Sequence, residues 1–407
     1  MANIHPFKAL YYNPAKVRNL DRVIVPPYDV ISESEKKMFL KMSRFNYAHI
    51  ILGKDRRLGY QGVARLFDQW QRAKVLIEDT RDFFYVWEQA FLKGSKRVRR
   101  RGIVAAVALA DFKKAKILPH EKTFSAPKAD RLKLLKACRA NLSPVFMMCQ
   151  DGDAELKKRI RDHCRTPLMR FKDTGGVLSR IWRIEDAGLA RQIQKRFQRK
   201  TFYIVDGHHR FATALKFSGQ QGKRIKGAQS VLSVIVDMQD PSIVVYPIFR
   251  ILKRVKDFHK ERYLKSLEPY FIIQKKIKET RLGRHQWGIW FRKDPHFYEV
   301  TLKSGSEKSV NKKMKGHAAV KQLDVAILQQ IVIPKKFHID IRYVRGVGPR
   351  LKEVLQKLWR GDYEAVWAVN APTVKQLKRV ADARQIMPAK STFFYPKVLS
   401  GALIRRF

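Results

Sequence analysis

Acidic residues are scarce in this chain. Asp and Glu total 36 against 85 Lys and Arg, a formal net charge of +49 over 407 residues. Such a balance raises affinity for any polyanion, nucleic acid included. Cysteine is scarcer still: Cys138, Cys149 and Cys164 are an odd number without metal-ligand spacing. They exclude a disulfide framework and a structural zinc site, and fit a reducing cytoplasm. No apolar run approaches the ~18 residues of a membrane span, and the first ten residues lack a signal-peptide core, so a cytoplasmic protein with no membrane partner is expected. Internal repeats and low-complexity linkers are missing. What is plentiful is apolar: 45% hydrophobic and 11% aromatic residues allow a large core and exclude global disorder.

The basic residues run along the whole chain. Their densest cluster, 93–101, lies between strand-like runs at 83–91 and 103–109 and reads as a solvated hairpin turn. No zinc finger, RNA-recognition signature or helix-turn-helix stands out. A solvated basic surface with nonspecific polyanion affinity is therefore preferred over a dedicated nucleic-acid site.

Strand and helix patterns alternate, which argues a mixed α/β class. A strand is expected at 23–25, and capping-box spacing at Ser32 and Glu35 opens a helix. Helical spacing of Val63, Leu66, Phe67 and Trp70 marks another. Further helices are expected at 131–140, 187–197, 320–331 and 373–381, and strands at 180–184, 202–205, 231–236, 298–302 and 364–369. A boundary near 245 divides the chain into regions 1–245 and 246–407.

Four polar segments carry candidate chemistry. In the first, Pro26-Pro27 fixes the chain ahead of Tyr28 and Asp29, either as a rigid turn or to shape a substrate pocket. In the second, His120-Glu121-Lys122-Thr123 offers a general base and hydrogen bonds, or a polar loop entering a helix. The third is Asp206-Gly207-His208-His209-Arg210, between an apolar strand and a helix start. Strand, glycine turn and helix start aim backbone N–H groups and a positive dipole end outward, a place suited to phosphate. Gly207 permits close backbone approach. His208, His209 and Arg210 donate to oxygens, and Asp206 holds a histidine tautomer or a Mg²⁺ ion. Adjacent histidines without a nearby cysteine make a poor zinc signature. The fourth segment, 387–397, places Lys390, Ser391, Thr392 and Lys397 among apolar residues without the glycine loop of a Walker A motif. It is either functional or a capped terminal strand.

In this order the four segments resemble a family catalogued as a domain of unknown function (family 1015). The resemblance runs from Ile4-His5-Pro6-Phe7 through Leu323-Asp324-Val325 to Tyr395-Pro396-Lys397. The Asp-Gly-His-His-Arg turn is also similar to that of the ParB/sulfiredoxin-like superfamily, which includes kinases of free serine. That resemblance implies a ParB/sulfiredoxin-like catalytic core followed by a C-terminal α/β region. It implies a phosphoryl donor, ADP or pyrophosphate rather than ATP, used with Mg²⁺ to phosphorylate free L-serine to O-phosphoserine. On this reading Gly207, His208, His209, Arg210 and Lys390 meet the donor phosphates. Glu121, His208, His209 and Asp206 are the catalytic candidates, with Glu121 as base. Tyr28, Asp29, His120 and Thr123 face the acceptor, and Lys397 adds positive charge. The sequence departs from the family pattern at Phe211-Ala212, Ile248-Phe249 and Ala383-Arg384. The rival reading is a ParB-like nucleotide-binding or nucleic-acid-associated protein without kinase activity.

Overall fold

The computed structural model describes residues 3–53, 59–109, 116–121, 125–198, 200–222, 224–253, 258–333, 344–347 and 351–407. The chain forms two compact units. The first comprises residues 1–119, 123–244 and 396–407, and the second residues 120–122 and 245–395. Both are mixed α/β, as the alternating patterns predict. Among the described residues no helix is long and apolar enough to cross a membrane.

The first unit is built on a nine-stranded mixed sheet. Its strands are β1 (Ile4–His5), β2 (Phe84–Lys93), β3 (Lys96–Ala108), β4 (Ile117–Leu118), β5 (Val145–Cys149), β6 (Met169–Lys172), β7 (Leu178–Ile184), β8 (Phe202–Asp206) and β9 (Ser230–Asp237). They lie in the order β4-β8-β5-β9-β3-β2-β7-β6, with β1 beside β3. The pairs β8–β4 and β9–β5 are parallel. The unit's longer helices, among the described residues, are α1 (Glu33–Met42), α2 (Gly59–Arg72), α3 (Ser125–Cys138), α4 (Ala154–His163), α5 (Ala187–Phe197) and α6 (His208–Gln221). Ser32 and Glu35 form the expected capping box at α1, and α5 spans the expected 187–197. One apolar core joins Val86, Val107, Met147, Ile204 and Ile235 of the sheet to Ile160 of α4, Ile193 of α5 and Phe211 of α6. Full burial of side chains of this size stabilises by about 1.5–3 kcal/mol each, so the β8–α6 junction stands on a rigid base.

The second unit carries an antiparallel six-stranded sheet. Its strands are β10 (Phe249–Lys253), β11 (Phe271–Lys276), β12 (Gln286–Phe291), β13 (Phe297–Leu302), β14 (Val344–Val347) and β15 (Tyr363–Val369), in the order β11-β13-β12-β15-β10-β14. Helices α7 (Leu351–Trp359) and α8 (Val374–Asp382) belong to this unit. Leu358 of α7 packs with Phe249, Trp290 and Val366 in its core.

Three local expectations need correction. The basic run 93–101 is not a turn: β2 and β3 continue through it and the hairpin turns at Gly94 and Ser95. The strand expected at 23–25 reduces to a single bridge between Val25 and Ser400. The helix expected at 320–331 is broken into Ala318–Lys321, Asp324–Ile327 and one wide turn at Leu328–Val332.

Candidate functional site

Strand β8 ends at Asp206, and α6 begins at His208. Between them Gly207 sits at φ +85°, a left-handed conformation that glycine adopts without strain. A Cβ there would also lie 2.8 Å from Nε and 2.9 Å from Cζ of Arg210. The backbone angle therefore favours glycine, and a methyl here would have to displace the Arg210 guanidinium. Phe211 is fully buried and Phe217 nearly so, which anchors α6 and orients its first turn. No side chain of the N-cap residue bonds the helix start. The positive end of the dipole thus lacks the usual Asp, Asn, Ser or Thr at that place.

The charges around the turn are ordered. Asp206 Oδ2 accepts from Arg210 Nη2 at 2.6 Å, and Asp206 Oδ1 accepts from Lys397 Nζ at 2.6 Å. A second nitrogen of Arg210 donates to the Pro144 carbonyl. All three charged side chains are nearly buried. Burial pushes the Asp206 carboxyl up, but Lys397, Arg210 and His208 outweigh it and hold the group well below the usual carboxylate range.

Lys397 is delivered to this point by Arg100, a buried residue of β3 and not part of a solvated turn. Arg100 is 2% exposed. Its Nη2 donates to the Pro396 carbonyl at 2.5 Å and to Gln89 Oε1 at 2.6 Å, while Gln89 Nε2 donates to the Lys397 carbonyl at 2.9 Å. The guanidinium lies 4.6 Å from the Phe146 ring centre. Burial works against its charge, and Asp240 and Asp206 favour it. The available signal was the strand alternation within 96–108, which turns Arg100 inward while Arg99 stays exposed.

A small cavity of about 60 Å³ adjoins the turn, lined in part by Tyr28, Arg131, Asn141, Ser143, Arg210 and Thr213. Arg131 stacks on Tyr28, its Cζ 4.2 Å from the ring centre. Burial, reinforced by Asp29, raises the Tyr28 phenol well above its ordinary value, with Arg131 and Arg210 acting against it. Tyr28 is therefore a protonated donor at neutral pH. Asp29 is exposed and does not line the cavity. Asn141 and Ser143, just beyond the end of α3, line it instead.

His120, Glu121 and Lys390 belong to the second unit. His120 has no exposed surface; its Nε2 lies 3.1 Å from Thr392 Oγ1, and its carbonyl accepts from the Met387 amide at 2.8 Å. Glu121 Oε1 accepts from the Lys390 amide at 2.6 Å. Lys390 stands at φ +60°, and its carbonyl accepts from Arg250 Nη2 at 3.0 Å. Arg250 is 4% exposed; burial lowers it to about 10, with Glu121 opposing. Residues 120–121, Arg250 and the 387–392 segment thus form one hydrogen-bonded loop cluster. Phe249, one of the positions where the sequence departs from the family pattern, is a core residue. Thr123 lies outside the described residues.

The chemistry available here is anion binding. As a Mg²⁺ ligand Asp206 does not fit, because both carboxylate oxygens are taken by cationic side chains. Among the described residues no group of three or more His, Cys, Asp or Glu side chains is arranged to hold a metal. Thiolate chemistry is disfavoured as well: burial pushes Cys138 and Cys149 up to about 12 and Cys164 to about 11.

Solved structures with some likeness to the chain include a free serine kinase in complex with AMP, at 13% identity and a TM-score of 0.37, covering 72% of this chain and 86% of that one. A conserved hypothetical protein from Pyrococcus furiosus has 14% identity and a TM-score of 0.36, covering 73% and 92%. SbnI from Staphylococcus aureus, truncated at its C-terminus, has 10% identity and a TM-score of 0.38, covering 73% and 85%. No curated protein matches the chain. Residues 4–326 match the family described as "Protein of unknown function (DUF1015)", and the chain belongs to that family.

Proposed function

We propose that this chain is a small-molecule phosphotransferase whose donor phosphate binds at the Asp206–Arg210 turn. The observation that carries this reading is a helix start whose N-cap is a glycine in the left-handed conformation, beside a carboxylate already paired with Arg210 and Lys397. Such a strand–glycine–helix turn has a positive field that favours a ligand anion. His208 and His209 stand on the first turn of α6 as donors to phosphate oxygens. Arg210 and Lys397 act through Asp206, holding the turn in shape. Phosphoryl transfer consists mostly of positioning and charge neutralisation, which is what such a turn supplies. The donor is ADP or pyrophosphate and the acceptor free L-serine, as the family resemblance implies. Tyr28 helps to shape the acceptor side, and Glu121 is the candidate base for the acceptor hydroxyl.

The test offers the purified protein L-serine with ATP, ADP or pyrophosphate in turn and detects O-phosphoserine by mass. Product with one donor, lost in His209→Ala, is expected. Glu121→Gln keeps an acceptor oxygen for the Lys390 amide, so a large fall in kcat with unchanged folding identifies the base, while full activity removes Glu121 from that role. No product with any donor, from folded protein, overturns the phosphotransferase reading.

A further inference from the structure

Away from the turn, five arginines of the first unit are gathered into one built feature. Arg101 of β3 is directly opposite Glu88 of β2, Glu88 is opposite Arg180 of β7, and Arg180 is opposite Arg170 of β6. Register therefore lays Arg101, Glu88, Arg180 and Arg170 in one row across four neighbouring strands. Arg99, two residues before Arg101, shares that face. The loop after α4 adds Arg165, whose carbonyl accepts from Trp182 Nε1 at 3.3 Å. Together these residues line a concavity of about 360 Å³.

Five guanidiniums face this hollow with one carboxylate among them. Glu88 is buried at 1% exposure and is divided between two arginines: Arg101 Nη2 lies 2.6 Å from Oε2 and Arg180 Nη1 3.0 Å from Oε1. Its charge is consumed in fixing those two. Among the described residues, the side chains of Arg99, Arg165 and Arg170 make no hydrogen bond or ion pair. Like charges directly opposite on paired strands, as Arg170 and Arg180 are, destabilise a sheet. The arrangement is what an anion would relieve.

We infer that this arginine-lined hollow is a second anion site, and that it binds a small polyphosphate, a chain of two or three phosphates. Guanidinium forks match phosphate oxygens two at a time. The hollow has the size of a small-ligand pocket and is enclosed by a loop on one side. A nucleic-acid backbone would instead need an extended track. The site lies on β2, β3, β6 and β7, and shares no residue with the turn that begins α6.

The test is calorimetric titration of the full chain with inorganic triphosphate and, separately, with ATP. Arg99→Gln with Arg170→Gln should weaken one binding event by about tenfold or more, as loss of charge-assisted bonds implies, while His209→Ala leaves that event intact. Lys37→Gln with Lys41→Gln on α1 removes the same charge from another exposed surface and should leave it intact as well. Binding of triphosphate but not ATP identifies a free polyphosphate, and equal binding of both identifies the phosphate chain of a nucleotide. An equal loss in the α1 control reduces the effect to net charge and overturns the site. So does a duplex oligonucleotide that depends on Arg99 and Arg170 when triphosphate does not bind.

Discussion

Lys397 Nζ stands 2.6 Å from Asp206 Oδ1, across 191 positions of sequence. The segment at 396–407 thus completes the strand–helix turn of the first unit. Arg210 holds the other oxygen, so the carboxylate serves as an anchor between two cations.

Removing one partner exposes the cost of that arrangement. Lys397→Met should destabilise the chain by about 3 kcal/mol, because breaking a buried pair leaves an under-compensated charge. Urea denaturation reads this as a lower midpoint with an unchanged slope. A loss below about 0.5 kcal/mol, the range of ordinary surface substitutions, would show that the pair contributes little.

The same contact sets an acid dependence. The folded-state Asp206 carboxyl titrates below its unfolded value of about 3.9, held down by Lys397, Arg210 and His208 against burial. The folded state therefore binds fewer protons than the unfolded state on the acid side, and stability falls as pH falls. Its contribution is complete above about pH 5 and is lost progressively as pH drops below about 4. Asp206→Asn removes this titration, so its stability should decline less steeply than the parent's over that window. Parallel curves would contradict the assignment.

Gly207→Ala should act on both backbone and packing. A left-handed residue with a Cβ costs on the order of 1–3 kcal/mol, and the new methyl would press on Arg210. Thermal unfolding should shift down, and the expected transferase activity should fall further than the stability loss explains. Retention of full activity at a temperature where the variant is folded would remove the turn from the reaction.

Much of the local structure is legible because it is set by near neighbours. The capping box at Ser32 and Glu35, the span of α5 and the strand–glycine–helix sequence at 202–216 all follow from spacing within one or two turns of chain. Distant partners overrode the same rules elsewhere. The periodicity at 320–331 argues one helix. In the fold, His285 Nδ1 meets Asp324 Oδ1 at 2.8 Å, and Trp287 Nε1 donates to the Asp324 carbonyl at 3.1 Å. The helix breaks just before that residue, at Gln322 and Leu323, and a new one begins at Asp324. The run 93–101 has turn-like composition, yet cross-strand pairing extends it as sheet and buries Arg100.

What the sequence by itself determined is the turn: Asp206, Gly207 and the helix start are neighbours in the chain, and their geometry follows from covalent spacing and glycine's freedom at positive φ. Tertiary structure alone decided which charges that turn keeps. Lys397 reaches Asp206, and Arg100 reaches the Pro396 carbonyl beside it, only through folding, and the arginine row exists only through strand register. Electrostatic interactions act through space at a few ångströms, a distance that sequence separation does not encode.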